Sequence, residues 1–548
     1  MIRRFFNSQT KTVTFAAGLL SISALASRFL GLIRDGLLAG YFGAGTETDI
    51  YFAAFRVPDF VYNFLIVGGL SIAFLPLFAE YYSRNKEEAW KITNNLLNVF
   101  SLLIIFLSAV LFIFTPWLID LITPGFSLEE KELTSALTRL MFLSPIFFGI
   151  SNIFSSILHY FNRFLVYSVA PVLYNLGIIF GIVFLVPRYG IFGVGIGVII
   201  GALAHLLIQI PSAVGCGFRY NPIFNIKHSS LREVIRLMLP RSFAVGVQQI
   251  NLIVITSIAS TLFAGSIAIF NFSNNLQYVP VGIFGISFAV ASFPKLSKTW
   301  AQGNKEDFLN DFSSIFRQIM FLVIPASILM FLLRTQLVRV VLGSLGPGKF
   351  DWQDTILTAT SLGIFSIGIF ASALIPLICR AFFSFKDTKT PTLIAVISVG
   401  LNILLSFYLV SVLENPGFVY NSIVRIFDLD GVKNISVLGL PLAFTKAVVF
   451  QFILLIIFFH KKVGGFGVKK IAFSLWKIMI AVLLMFASVY FSISLTGGIL
   501  DTKTFLGVFA QGIISGLVGI VVYLITSIVF KIPEIKIIKS AVLKQFSK

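Results

Sequence analysis

The chain has 548 residues, 57% of them hydrophobic and 12% charged, at a mean hydropathy of +0.95, and no water-soluble fold hides that much apolar surface in one core. Its formal charge of +19 does not point to nucleic acid, because the basic residues fall in short connections between apolar runs and not on one folded face. Two cysteines, Cys216 and Cys379, support neither a disulfide framework nor a Cys/His metal site.

A membrane span needs about 20 mainly apolar residues. The sequence contains about fourteen such runs, near 12–42, 50–80, 92–116, 134–160, 166–186, 191–216, 233–263, 266–294, 310–334, 354–380, 391–412, 436–460, 471–495 and 505–530. The expected fold class is therefore an all-α polytopic membrane protein. The first run lacks a small-residue cleavage site and is expected to stay as helix 1. The first, second and eighth runs are long and broken by glycine, which suggests tilt, kinks or a lined cavity.

Helix 1 carries Arg28, Arg34 and Asp35 within "SRFLGLIRDGLLAGYFGAGTETD", Ser27–Asp49. A charge at the bilayer centre costs at least about 3 kcal/mol on insertion scales, so such residues face protein or an aqueous cavity. Helical spacing puts Arg28 and Arg34 about 120° apart, with Asp35 close to the Arg28 face. One reading is an anion-binding wall in which Asp35 holds an arginine; the other is a snorkelling pair plus a structural bridge.

Helix 2 opens with "TDIYFAAFRVPDF". Asp49 suits either a helix start or a substrate or gating role. Arg56 lies deeper, and faces either the cavity or an ion-pair partner among Asp35, Asp49 and Asp59. His205 in helix 6 reads as an interhelical hydrogen-bonder. Asn274, Asn275 and Gln277 form a polar spot in helix 8, either lining the cavity or joining helices. Lys446 in helix 12 either meets a substrate or snorkels.

Lys and Arg are retained on the cytoplasmic side. Arg3, Arg4, Lys11, the Arg219–Arg241 connection, Lys461, Lys469 and the tail from Lys531 then lie inside, against anionic membrane lipids, and the acidic "SLEEKE" at Ser127–Glu132 lies outside. Both termini are expected in the cytoplasm. Internal duplication is visible as well. "FGAGTETDIYFAAF" at Phe42 is echoed by "LFAGSIAIFNFSNN" at Leu262, "GGLSIAFLPLFAEYYSRNKEEAW" at Gly68 by "GISFAVASFPKLSKTWAQGNKEDF" at Gly285, and Pro171 by Pro391. The common offset of about 220 residues divides the chain into lobes 1–225 (helices 1–6) and 226–465 (helices 7–12), with 466–548 holding helices 13 and 14 and a basic tail. No Walker loop, Rossmann fingerprint, HExxH or nucleophile elbow occurs, so no enzyme and no cofactor are expected.

With these motifs in view, the chain resembles the MurJ (MviN) lipid II flippase family of the multidrug/oligosaccharidyl-lipid/polysaccharide exporter superfamily. The matching stretches are "SRFLGLIRDGLLAGYFGAGTETDIYFAAFRVPDF", "GGLSIAFLPLFAEY", "TPGF" at Thr123, "FNRFLVYSVAPVLYNL" at Phe161, "FPKLSK" at Phe293 and "RAFFSFKDTKTPT" at Arg380. The resemblance implies two six-helix lobes around a cationic, alternating-access cavity, with two further helices forming a groove for a lipid tail. It implies a lipid-linked cell-wall precursor as partner, moved from the inner to the outer leaflet of a bacterial cytoplasmic membrane by a monomeric, membrane-embedded protein. Arg28, Arg34, Asp35 and Asp49 match family positions, and Arg56 and Asn275 complete the expected substrate-binding set.

The departures are specific. Tyr62 or Asn63 stands where the family places a deeper arginine in helix 2, and Asn275 and Tyr278 stand where it places charge in helix 8. Ile255 and Ser406 stand at carboxylate positions tied to sodium, so sodium coupling through that site is not expected. Arg56, Arg241 and Lys446 are the candidates to compensate. Two rival readings follow from the losses: a flippase for another polyprenyl-linked oligosaccharide, and a non-transporting scaffold paralogue.

Overall fold

The computed structural model describes residues 13–535; Arg3, Arg4, Lys11 and the basic tail beyond 535 lie outside the described residues. Among the described residues there is no strand. The first described helix is α1 (Val13–Phe42), 30 residues long. After α1, thirteen helices among the described residues are long and apolar enough to cross a membrane, close to the expected count of about fourteen. α2 runs from Thr46–Val61 through a π-helical stretch, Tyr62–Leu70, into Ser71–Arg84. Then come α3 (Lys86–Ile122), α4 (Leu128–Tyr160), α5 (Phe164–Tyr189), α6 (Ile191–Gly215), α7 (Ser229–Ser260) and α8 (Ser266–Ala301). They are followed by α9 (Lys305–Leu332), α10 (Trp352–Ser384), α11 (Lys389–Glu414), α12 (Ile435–Val463), α13 (Val468–Ile499) and α14 (Phe505–Val529).

Polar residues at the helix starts set the boundaries. The Asn85 side chain accepts from the Glu87 and Glu88 amides at 3.0 and 3.3 Å, with both acids in the first turn of α3, where they complement the helix dipole. α3 therefore begins at Lys86 and not at the first apolar residue, and its 37 residues reach about 55 Å. Ser127 and Glu130 form a capping box at the start of α4, and Asp351 and Asp354 form another at α10.

The π-helical stretches Tyr62–Leu70 in α2 and Val281–Ile286 in α8 recur at the offset of the sequence repeat. Each follows a helix interrupted by proline, Pro58 in one case and Pro280 in the other, which removes a backbone donor and frees a carbonyl for the wider register. The third, Gly181–Leu185 in α5, lies at a packing seam. There a Cβ on Gly177 would stand 2.3 Å from Gly201 Cα, and one on Gly197 would stand 2.8 Å from the Gly177 carbonyl. α5 and α6 thus meet backbone to backbone, a contact that only small residues permit and that dispersion can hold in lipid.

The chain divides into two compact units, one up to Ala268 with Leu345–Phe350, the other Ile269–Ser344 and from Asp351 onward. In the first, the core joins α2, α3, α4 and α7 through residues such as Phe74, Phe78, Ile92, Phe100, Ile157 and Val234. Three asparagines on α3 also hold the connection after α6. Asn94 and Asn95 each exchange two hydrogen bonds with its backbone, at Arg219, Asn221 and Asn225, and Asn98 donates to the Asn221 and Ile223 carbonyls. In the second unit, α8, α9, α10 and α12 share a phenylalanine-rich core. α13 and α14 pack on α9, where the Tyr523 hydroxyl donates to the Phe321 carbonyl at 2.7 Å. Glu534, just past α14, is buried and accepts from Arg317 at 2.6 Å and from Ser474 at 2.9 Å.

Candidate functional site

α4 carries Asn152, Ser155, Ser156 and His159, spaced i, i+3, i+4, i+7 and so sharing one helix face. This polar stripe walls a cavity of about 730 Å³ within the first unit. α1 faces it with Ser23, Ser27 and Arg28, α5 with Tyr167 and Ser168, and α2 with Tyr62. A neighbouring cavity of about 270 Å³ shares Tyr62, Pro171 and His205 with the first and brings in Asp59 and Asn63. Hydroxyls, amides and one guanidinium therefore line a hollow inside a bundle whose outer surface is apolar. Irregular or polar groups at membrane depth are tolerated where they line such a space.

Arg28 is the member of the sequence-derived set that lines the larger cavity. Arg34 lies less than two turns along α1. Its Nε and Nη2 donate to Asp35 Oδ1 at 3.0 and 2.8 Å, and its Nη1 donates to Asn175 Oδ1 at 3.4 Å. The Asn175 amide group in turn donates to the Ser27 hydroxyl at 3.1 Å and to the Pro171 carbonyl at 3.2 Å. In the reading where Asp35 holds an arginine, the one its carboxylate reaches is its sequence neighbour Arg34. The pair sits at 23% and 5% side-chain exposure, so the guanidinium keeps some access to solvent while its orientation is fixed. Asn175 tethers both Arg34 and the backbone next to Arg28.

Asp49 is buried, and its two oxygens accept from the Gly265 amide at 2.7 Å and the Ala268 amide at 2.8 Å. It does cap a helix start, but that of α8 and not of its own helix, whose N-cap is Gly45 with no side-chain bond. Arg56 is buried as well, with Nε donating to the Thr256 hydroxyl on α7 at 2.7 Å. Neither residue lines the two cavities. Asn275 is half-buried on α8 in the second unit. His205 behaves as an interhelical bonder: Nδ1 is 2.7 Å from the Ser151 hydroxyl, and Gln209 donates to both the Ser151 hydroxyl and the His205 carbonyl. Lys446 and Arg241 are exposed.

Sequence reasoning missed Asn175, Tyr167 and the α4 stripe. The signal for the stripe was present in "SNIFSSILHY", whose polar residues recur at helical spacing inside an apolar run. Asn175 gave no such signal, since its role depends on which helix packs beside it.

The model of the family "Lipid II flippase MurJ" matches residues 38–509. The chain belongs to the MurJ lipid II flippase family. It is 28% identical over 389 residues to the lipid II flippase MurJ of Burkholderia cenocepacia, covering 69% of this chain and 75% of that protein. MurJ relatives of Vibrio cholerae and Thermotoga maritima are each 30% identical, over 400 and 410 residues, covering 71% and 73% of this chain and 76% and 80% of theirs. Among solved structures, a lipid II flippase MurJ in an inward closed conformation matches with a TM-score of 0.74 at 28% identity, covering 93% of this chain and 98% of that one. An inward-facing MATE family transporter of the MOP superfamily matches with a TM-score of 0.61 at 14% identity, over 82% of this chain and 98% of that one, a likeness of fold alone.

Proposed function

We propose that this protein is a flippase that carries lipid II, the undecaprenyl-diphosphate-linked peptidoglycan precursor, from the inner to the outer leaflet of a bacterial cytoplasmic membrane. In this reading both termini lie in the cytoplasm, the protein works as a monomer by alternating access, and it catalyses no covalent step. Family membership over residues 38–509 supports the cargo, and the observation that carries the site is the hydroxyl-lined cavity with Arg28 in its wall.

The physical task is to take a diphosphate with a sugar-peptide head through hydrocarbon, where an unpaired charge is prohibitively costly. Guanidinium groups answer it by replacing hydration with bidentate, charge-assisted bonds to phosphate oxygens. Arg28 meets the phosphate in the cavity. Arg34 follows on the same helix, held by Asp35 and Asn175 so that little side-chain freedom is lost when an anion arrives. The serines and Asn152 on α1 and α4 suit the many hydroxyl and amide groups of a sugar-peptide head. Asp49 and Arg56 act away from the cavity, Asp49 on the first amides of α8 and Arg56 on Thr256 of α7. An inside-negative potential favours outward movement of the anionic head, by about 2.3 kcal/mol per charge per 100 mV.

The test is growth rescue of cells depleted of their own lipid II flippase. The wild-type chain restores growth and Arg28→Ala, expressed to the same level, does not. Rescue of an O-antigen exporter mutant in place of the depletion strain would move the cargo to another polyprenyl-linked oligosaccharide, the reading favoured by Tyr62 or Asn63 standing where the family resemblance places a further arginine.

A further inference from the structure

A second hollow in the first unit lies away from the polar cavity, on the side of the bundle formed by α3, α4 and α6. It measures about 780 Å³ and is walled by apolar side chains, among them Ile105, Ile113, Leu140, Ile146 and Phe192. Two polar groups interrupt this wall: Arg139 and Ser108.

The position of Arg139 has a backbone cause. Pro116 lies inside α3 and has no N–H, so the Phe112 carbonyl four residues earlier loses its helical donor. Arg139 Nε donates to that carbonyl at 3.2 Å, and its guanidinium stands 5.2 Å from the Phe112 ring centre. This orients the group and uses one of its nitrogens. The two terminal nitrogens have no acceptor among the described residues. Ser108, one helical turn deeper along α3, is 3% exposed, and its hydroxyl has no hydrogen-bond partner among the described residues. A buried, unpaired hydroxyl is uncommon, since in a helix it ordinarily donates to a carbonyl of the preceding turn. Here both unspent donors border one apolar groove.

We propose that this groove is a binding site for one glycerophospholipid, with its phosphate on the terminal nitrogens of Arg139, an ester carbonyl on the Ser108 hydroxyl and an acyl chain along the apolar wall. The depths agree. Arg139 and Phe112 each lie roughly 15 Å from the α3–α4 turn, and Ser108 lies about 6 Å further in, which is the order in which phosphate, ester and chain follow one another in such a lipid. Arginine suits phosphate through its planar pair of donors. A groove of this composition is neither a continuation of the cargo cavity nor dependent on what that cavity carries.

The experiment is native mass spectrometry of the full-length protein in detergent, titrated with phosphatidylglycerol, with diacylglycerol lacking the phosphate, and with inorganic phosphate as competitor. Wild type retains phosphatidylglycerol. Arg139→Gln, which keeps a donor for the Phe112 carbonyl, weakens it roughly tenfold, the size of one charge-assisted bond, and leaves the weak diacylglycerol signal unchanged. Ala109→Trp, which fills the groove from its exposed α3 wall and leaves the Arg139–Phe112 contact alone, abolishes retention of both lipids. Inorganic phosphate does not displace the adduct. Equal phosphatidylglycerol binding by wild type and Arg139→Gln would overturn the proposal, as would retention by Ala109→Trp or displacement by inorganic phosphate.

Discussion

Asp49 offers the sharpest quantitative test of how this bundle is held together. Its carboxylate is 2% exposed and receives two short backbone bonds, from Gly265 at 2.7 Å and Ala268 at 2.8 Å. These amides belong to the start of α8, where the first helical N–H groups have no partner within the helix. Asp49→Ala leaves both unpaired in a buried place, at about 1–3 kcal/mol each, so the first turn of α8 loses about 2–6 kcal/mol of local stability. Asp49→Asn retains one acceptor and loses about half as much. The assay is hydrogen–deuterium exchange on a peptide covering Leu262 to Phe272, with a peptide from α13 as internal control. A loss of 3 kcal/mol corresponds to roughly 150-fold faster exchange through local opening, graded Ala above Asn above wild type. Unchanged exchange in the Ala variant would refute the reasoning, because the two amides would then be satisfied some other way.

Further expectations rest on separate features. Gly197→Leu drives a side chain into the Gly177 carbonyl and the Gly181 backbone, under 3 Å away; α5 and α6 separate, and thermal stability falls by about 1–3 kcal/mol or more, read as a lower melting temperature of the purified protein. Glu534→Ala strips the buried partner from Arg317, at a cost of about 3–5 kcal/mol, and protease cleavage after α14 accelerates accordingly. Asp387 lies in the connection between α10 and α11. Burial acts to raise its carboxyl pKa, but the Lys462 ammonium and the Thr390 amide and hydroxyl outweigh that and hold it below the ordinary carboxylate value. The stabilisation is present above the unfolded-state value near pH 4 and is lost as pH falls through the depressed folded value. For a pair this exposed it is about 1 kcal/mol at most, seen on acidification as a lower amide protection factor in that connection, after correction for the pH dependence of the intrinsic exchange rate, and absent in Asp387→Asn.

The fold was largely legible because the bilayer imposes a strong rule: runs of about 20 apolar residues must be helices. The glycine breaks in the second and eighth runs became the π-helical stretches Tyr62–Leu70 and Val281–Ile286. The first run, for which glycine suggested tilt, kinks or a lined cavity, is one continuous helix from Val13 to Phe42 that lines the polar cavity, since glycine alone permits a bend without requiring it. The site was half legible. Charge inside a span singled out Arg28, Arg34 and Asp35, and spacing left open which arginine Asp35 holds; the contact with Arg34 forms because a long guanidinium can fold back to its own neighbour. The functions of Asp49, Arg56 and Asn175 depend on partners more than 140 residues away, and helical periodicity carries no information at that range. The asparagines of α3 were unreadable for the same reason: their partners are backbone groups of a connection beyond α6.

The central claim is that arginines on α1 carry a diphosphate-linked cargo across the membrane. Its most direct test is lipid II translocation in proteoliposomes holding wild-type protein, Arg28→Ala or Arg34→Ala, each verified as folded by its melting profile. The account predicts outward transport by wild type and a drop of roughly 10-fold or more in each variant, the loss of one charge-assisted phosphate contact. No transport by folded wild-type protein, or undiminished transport by Arg28→Ala, would contradict it.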